Sequence, residues 1–245
     1  MDRVVPAESD LLCEACGYTL NGLPADCNCP ECGVPVARSV EHDGRGWTGF
    51  EQRPGASSFI ATTFAVLARP QRFYRAIITR QDHPAAAIFA RRHRVIAAGL
   101  FALSAVGYAR WLESQSGAAV WRPGGPWVLP LAATGLLWGA THLLLTYVTR
   151  LAAWLSAMEG RYWGMRLPRS AVARCLQYHA ASYLPVGLLA VTLVWGYWIG
   201  LHAGWWSWTS GRWYPWILSA AVVVSAGYLF AQYLFAMRNI RYANR

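Results

Sequence analysis

Four long runs of apolar residues, none containing an acidic residue, dominate the sequence beyond residue 94. They cover 95–111, 127–149, 184–204 and 214–237. The last three meet the roughly 20 residues that a helix needs to cross a bilayer's hydrocarbon. The first is short, and His93 and Arg94 are expected to snorkel at its start. Pro185 and Pro215 open the third and fourth runs, where a missing N–H costs least. Two further stretches are apolar but broken by arginine. Residues 57–80 carry Phe59, Ile60, Phe64, Leu67, Phe73, Ile77 and Ile78, interleaved with Arg69, Arg72 and Arg75. This pattern predicts one or two amphipathic helices lying on a membrane surface. Residues 170–183 place Val172, Cys175, Leu176, His179 and Tyr183 on one face, with Ser170 as a cap.

The predicted class is therefore mainly α: a polytopic helical membrane bundle of about four spans with interfacial helices. The domain plan is a small cysteine-bearing unit at 10–37, a linker at 38–56, interfacial helices over 57–94 and the bundle over 95–245. The linker assignment rests on Gly44, Gly46, Pro54 and Gly55 and on the lack of apolar periodicity. Small residues recur every third or fourth position, at Gly135 and Gly139, at Gly196, Gly200 and Gly204, and at Ala98, Ala102, Ala105 and Ala109. Such stripes let helices approach closely in lipid, and a homo-oligomer is compatible with them.

Composition agrees. Hydrophobic residues make up 55% and charged residues 14%, against about 25% charged in soluble domains. All 22 basic residues are arginine, which excludes Schiff-base lysine chemistry and a P-loop lysine. Charge divides sharply. Residues 1–51 hold nine acids and three Arg, and the remainder holds nineteen Arg and three acids, Asp82, Glu113 and Glu159. The pI near 9.7 is not read as nucleic-acid binding, because the arginines flank apolar runs. Four spans place fifteen of these arginines on one side and three on the other. The positive-inside rule then puts both termini in the cytoplasm. Arg69, Arg72, Arg75, Arg91, Arg92 and Arg94 are expected at the inner surface, against anionic inner-leaflet lipid. Trp111, Trp121, Trp127, Trp205, Trp206, Trp208, Trp213 and Trp216 fall near the opposite boundary, as an aromatic belt would. Stacking of a substrate on Trp205, Trp206 and Trp208 is the alternative reading.

Five of six cysteines lie between positions 13 and 32. Cys13, Cys16, Cys29 and Cys32 form a C-x2-C-x12-C-x2-C pattern, and each pair is followed by glycine. A C-x-x-C turn aims two thiolates at one metal, and the glycine's positive φ turns backbone N–H groups toward the sulfurs. Four thiolates in a tetrahedron suit structural Zn²⁺. About 28 residues have too little core to fold alone, so the metal would supply folding free energy. No signal-peptide h-region opens the sequence, so these thiols are expected in a reducing compartment rather than as disulfides. Cys27 is a fifth thiol: an alternative ligand, a redox-sensitive neighbour or an incidental loop cysteine.

On these residues the segment resembles a zinc ribbon of the rubredoxin-like knuckle type. The C-G-Y and C-P-x-C-G turns also resemble rubredoxin itself, which implies iron and electron transfer. The spacer is shorter than rubredoxin's and lacks its aromatic core residues, which leaves zinc as the expected metal and iron as the alternative. The stretch Leu67-Ala68-Arg69-Pro70-Gln71-Arg72-Phe73-Tyr74, with Tyr178-His179-Ala180-Ala181-Ser182-Tyr183-Leu184-Pro185, resembles Yip-type membrane domains. That resemblance covers 57–237 and implies a membrane-shaping or adaptor role without catalysis. A zinc ribbon ahead of a bundle also resembles the layout of many bacterial membrane proteins.

The spans contain no Asp or Glu, so a proton relay lacks its usual parts. His142 and His202 are the histidines within them, and no catalytic triad, metalloprotease or phosphate-loop motif is present. The expected function is a non-catalytic adaptor or membrane-organising protein. The alternative is a transporter or membrane enzyme with a site in the bundle. The acidic ribbon disfavours nucleic acid and leaves a cytoplasmic protein partner.

Overall fold

The computed structural model describes residues 10–40, 45–79, 81, 83–116, 128–165, 167–205 and 212–244. Among them the regular elements are helical: α1 (Ala37–Val40), α2 (Gly49–Gln52), α3 (Ala56–Ala68), α4 (Pro70–Ala76), α5 (Pro84–Ser116), α6 (Val128–Tyr162), α7 (Arg169–His179), α8 (Tyr183–His202) and α9 (Tyr214–Ile240). A 3₁₀ turn, Ala180–Ser182, joins α7 to α8. Strands are absent among the described residues, and pairing is limited to isolated bridges. Among the described residues, four helical stretches are long and apolar enough to cross a membrane: Pro84–Glu113, Leu131–Tyr162, Arg169–His202 and Tyr214–Ile240.

Expectations change at two places, and at a third the choice between one and two interfacial helices is resolved. The first apolar run is the middle of a 33-residue helix that starts at Pro84, so 84–94 belongs to it and not to the interfacial segment. His93 is fully buried, not snorkelling. Apolar patterning alone misses such an extension, because polar residues continue a helix as readily as apolar ones. The interfacial stretch divides at Pro70, which removes a helical N–H and starts α4. Finally, the described residues of 38–56 do not behave as a linker. Thr48 and Glu51 form a reciprocal capping box that starts α2, and Phe50 and Glu51 are buried.

The chain divides into two compact units. One comprises Met1–Ala90, Val148–Ala181 and Ala231–Arg245, and the other Arg91–Tyr147 and Ser182–Phe230. The first is built on an aromatic core. Phe89 meets Phe50, Phe59 and Tyr178 at centroid separations of 5.6, 5.3 and 5.2 Å. Phe73 meets Tyr178 edge-on at 5.1 Å. Val66, Leu176, Ala236 and Ile240 complete it. Burial of each large side chain contributes about 1.5–3 kcal/mol. The core thus ties the "linker", both interfacial helices, α7 and the end of α9 together.

In the second unit, close approach depends on glycines outside the expected stripes. A Cβ on Gly107 would lie 2.7 Å from Val194, and one on Gly187 would lie 3.0 Å from Leu100. Gly135, Gly139 and Gly196 have open space instead. Trp195 donates its indole N–H to the Leu103 carbonyl at 3.0 Å, and Trp138 does so to Val95 at 2.9 Å. Tyr214 stacks on Tyr197 at 4.1 Å and meets Trp111 at 5.0 Å. The tryptophans at 121, 127, 206 and 208 lie outside the described residues.

Candidate metal centre

Two turns of the same construction hold the cysteines, related by a shift of 16 positions. Leu12 bridges Thr19 in the first, and Asn28 bridges Pro35 in the second. The Cys13 N–H donates to the Tyr18 carbonyl at 2.8 Å, and the Cys29 N–H donates to that of Val34 at 2.8 Å. Gly17 N–H donates to the Cys13 carbonyl at 2.8 Å, and Gly33 N–H to that of Cys29 at 2.9 Å. Both glycines have positive φ, 86° and 70°. The small core between the turns is also paired, with Leu20 and Val36 at corresponding positions.

The four expected sulfurs converge. Cys13 Sγ lies 3.5 Å from Cys32 Sγ, and Cys16 Sγ lies 3.7 Å from Cys29 Sγ. All four lie within 4.8 Å of one another. A tetrahedron with bonds near 2.3 Å needs sulfur separations of about 3.8 Å. The set can therefore hold one metal ion, and its four soft thiols suit zinc or iron. Cys27 is exposed and stands outside the group.

Backbone N–H groups face the sulfurs, as the glycine turns require. At Cys29, burial raises the thiol, but the N–H groups of Cys32 and Glu31 outweigh it and bring it down to about 7. At Cys16, burial dominates the opposing N–H of Tyr18 and pushes the thiol up to about 12. The N–H of Val34 favours the Cys32 thiolate, while burial and the Cys13 sulfur hold that thiol above its ordinary value. Four thiols crowded together cannot all ionise without a cation, so metal entry releases protons.

The first turn is clasped by the end of the chain. Asn244 accepts from the Leu12 N–H at 3.0 Å and donates from its amide to the carbonyls of Leu12 and Ser39 at 2.8 and 3.1 Å. The Asn244 N–H donates to Glu14 Oε1 at 3.1 Å. Glu14 also pairs with Arg45 at 3.0 Å. Arg45 reaches the carbonyls of Tyr74, Ile77 and Asn239 at 3.1, 3.2 and 3.1 Å. The acidic ribbon thus folds back on its own chain through Arg45, a residue of the supposed linker. The second turn is presented outward: Asp26, Cys27, Asn28, Pro30, Glu31 and Cys32 are all exposed.

The arginines separate into groups. Arg69, Arg72 and Arg75 are exposed and line one groove with Ala68, Ala76 and Phe235. Arg75 donates from Nε to Asn239 at 2.7 Å. Arg91 and Arg92 are exposed on α5, and Arg94 is half-buried. Of the span histidines, His202 contacts its own helix at the Trp198 carbonyl, 2.9 Å away. The Nδ1 of His142 is buried without a hydrogen-bond partner among the described residues.

One cluster escaped the sequence reading. Glu51 and Arg174, both buried, form an ion pair at 2.6 Å. Arg174 lies over the Trp47 ring at 4.8 Å and donates to the Gln81 carbonyl. Thr48 Oγ1 and the Tyr178 hydroxyl are 3.0 Å apart. The available signal was the T-x-x-E capping box at 48–51, which argues against a linker. Arg174 itself looks like any surface arginine. No known protein family, curated protein or solved structure matches this chain. The Yip-type resemblance gains no support from them.

Proposed function

We propose that this chain is an integral membrane adaptor without catalytic activity, with a zinc-loaded ribbon on the cytoplasmic side that presents its second turn to a protein partner. The observation that carries this reading is the asymmetry of the ribbon. Its first turn is locked by Asn244, Glu14 and Arg45, while its second stands free with Asp26 and Glu31 exposed. A purely structural ribbon has no need to leave one of two equivalent turns bare. Four thiolates and a short spacer favour zinc over iron.

The four apolar helices support insertion. The ribbon and the residues after α9 belong to one unit, together with most of the segments that the arginine count assigns to the inner side, Arg91, Arg92 and Arg94 falling in the other. That grouping supports an even number of spans with both ends in the cytoplasm. The groove of Arg69, Arg72 and Arg75 follows the exposed face of α3, where Ile60 and Phe64 are 66% and 69% exposed. Apolar side chains next to guanidiniums fit the boundary between acyl chains and anionic headgroups. The acidic outward turn disfavours a nucleic-acid partner. Gly135 and Gly139, with open space above them, leave room for a second copy of the chain.

The test is recovery of the tagged full chain from native membranes. Asp26→Arg with Glu31→Arg should abolish co-purification of a stoichiometric protein and leave metal content unchanged. An unchanged set of companions, or none with the unaltered chain, overturns the adaptor reading.

A further inference from the structure

A second cavity lies within the first unit, of about 440 Å³, lined by the end of α6, the turn after it and the end of α9. Its wall is built by a specific chain reversal. Gly164 has a φ of 69°, and the Met165 N–H returns to the Gly160 carbonyl at 2.8 Å. A Cβ on Gly160 would lie 2.9 Å from the Leu167 side chain, so a larger residue here would push Leu167 out of its place. Met165, Leu167, Phe235 and Met237 supply apolar lining. Charged lining comes from Glu159, Arg238 and Arg241. Glu159 is one of only three acids after residue 51. Among the described residues its carboxylate makes no ion pair, and neither does Arg238, while Arg241 lies over the Tyr242 ring at 4.7 Å.

We infer that this cavity is a binding site for a phospholipid with a primary-ammonium headgroup, of the phosphatidylethanolamine class. A purely anionic headgroup would face the Glu159 carboxylate, and a purely cationic one would face two guanidiniums. A zwitterion satisfies both: phosphate on Arg238 and Arg241, ammonium on Glu159, and acyl carbon against the apolar lining. A primary ammonium has N–H groups for the carboxylate to accept from, and a choline headgroup has none. This site rests on the membrane reading above, in which the ends of α6 and α9 reach the headgroup level on one side.

The full chain, purified in detergent, is titrated with dioleoyl phosphatidylethanolamine, phosphatidylcholine and phosphatidylglycerol, and lipid adducts are counted by native mass spectrometry. Phosphatidylethanolamine should be retained at concentrations about tenfold lower than phosphatidylcholine, the value of a hydrogen-bonded charge. Glu159→Gln should erase that preference, and Arg238→Gln with Arg241→Gln should weaken both lipids. Metal content and thermal midpoint serve as folding controls for these positions, of which Glu159 and Arg238 are exposed and Arg241 is half-buried. Equal retention of the first two lipids, preference for phosphatidylglycerol, or unchanged selectivity in Glu159→Gln overturns the proposal. Alkaline carbonate extraction of native membranes separates the two readings: release of the chain refutes the spans, whereas retention without lipid selectivity refutes only this site.

Discussion

The side-chain amide of Asn244 closes two hydrogen bonds on the backbone of Leu12, at 3.0 and 2.8 Å, across 232 positions of sequence. It does for Leu12 what a neighbouring strand would do, and it leaves the metal turn that follows with its backbone satisfied. Positions 12 and 244 are therefore coupled at the metal site. Asn244→Ala removes both bonds and the one to Ser39. It should cost about 1–3 kcal/mol, read as a lower thermal midpoint and faster zinc loss to a chelator. Unchanged chelation kinetics would show that the clasp is dispensable.

One equivalent of metal per chain is the second expectation, and zinc is the metal that elemental analysis should find. Cys13→Ser with Cys16→Ser should remove it and loosen the clasp of residues 10–40 on Asn244, seen as faster amide exchange there. Cys27→Ser should leave metal content unchanged, because Cys27 lies outside the group of four. Iron at one equivalent would instead point to the electron-transfer alternative.

The two turn glycines offer an internal control. Gly33 has open space, so Gly33→Ala should cost only the strain of a positive φ, about 1 kcal/mol. A Cβ on Gly17 would also lie 2.6 Å from the Tyr242 ring, so Gly17→Ala should cost more. Tyr242→Ala should recover part of that excess in the double variant and nothing at Gly33→Ala. Equal costs at both positions, by thermal unfolding, would refute the contact.

Glu51 and Arg174 make a buried pair, so removing either charge leaves the other uncompensated. Glu51→Gln or Arg174→Met alone should cost about 3–5 kcal/mol, and a matched apolar replacement of both should cost less. The measurement is a double-mutant cycle on the thermal midpoint. Additive losses would mean that the pair is not coupled.

Topology is open to thiol labelling of intact cells. A cysteine at exposed Ala203, just beyond α8, should react with an impermeant reagent, and one at exposed Ser57 should not. The reverse pattern would invert the assignment of sides.

Much was already written in the order of residues. Apolar runs declare long helices because each helix satisfies its own backbone, so length and composition suffice. The paired C-x-x-C-G turns declare their ligands because the hydrogen bonds that build each turn lie within a few positions. The linker at 38–56 was misread for the opposite reason. Arg45, Thr48 and Glu51 are polar, and only their partners at Glu14, Tyr178 and Arg174 show that they are interior. The small-residue stripes are met only in part: Ala98, Ala102 and Gly200 are buried, Gly135, Gly139 and Gly196 have open space, and Gly107 and Gly187 mark close approaches that no stripe named. Local pattern thus determined the elements and the ligand set. The tertiary structure decided which turn is held and which is free, because burial and charge pairing belong to residues that meet only after the chain has folded.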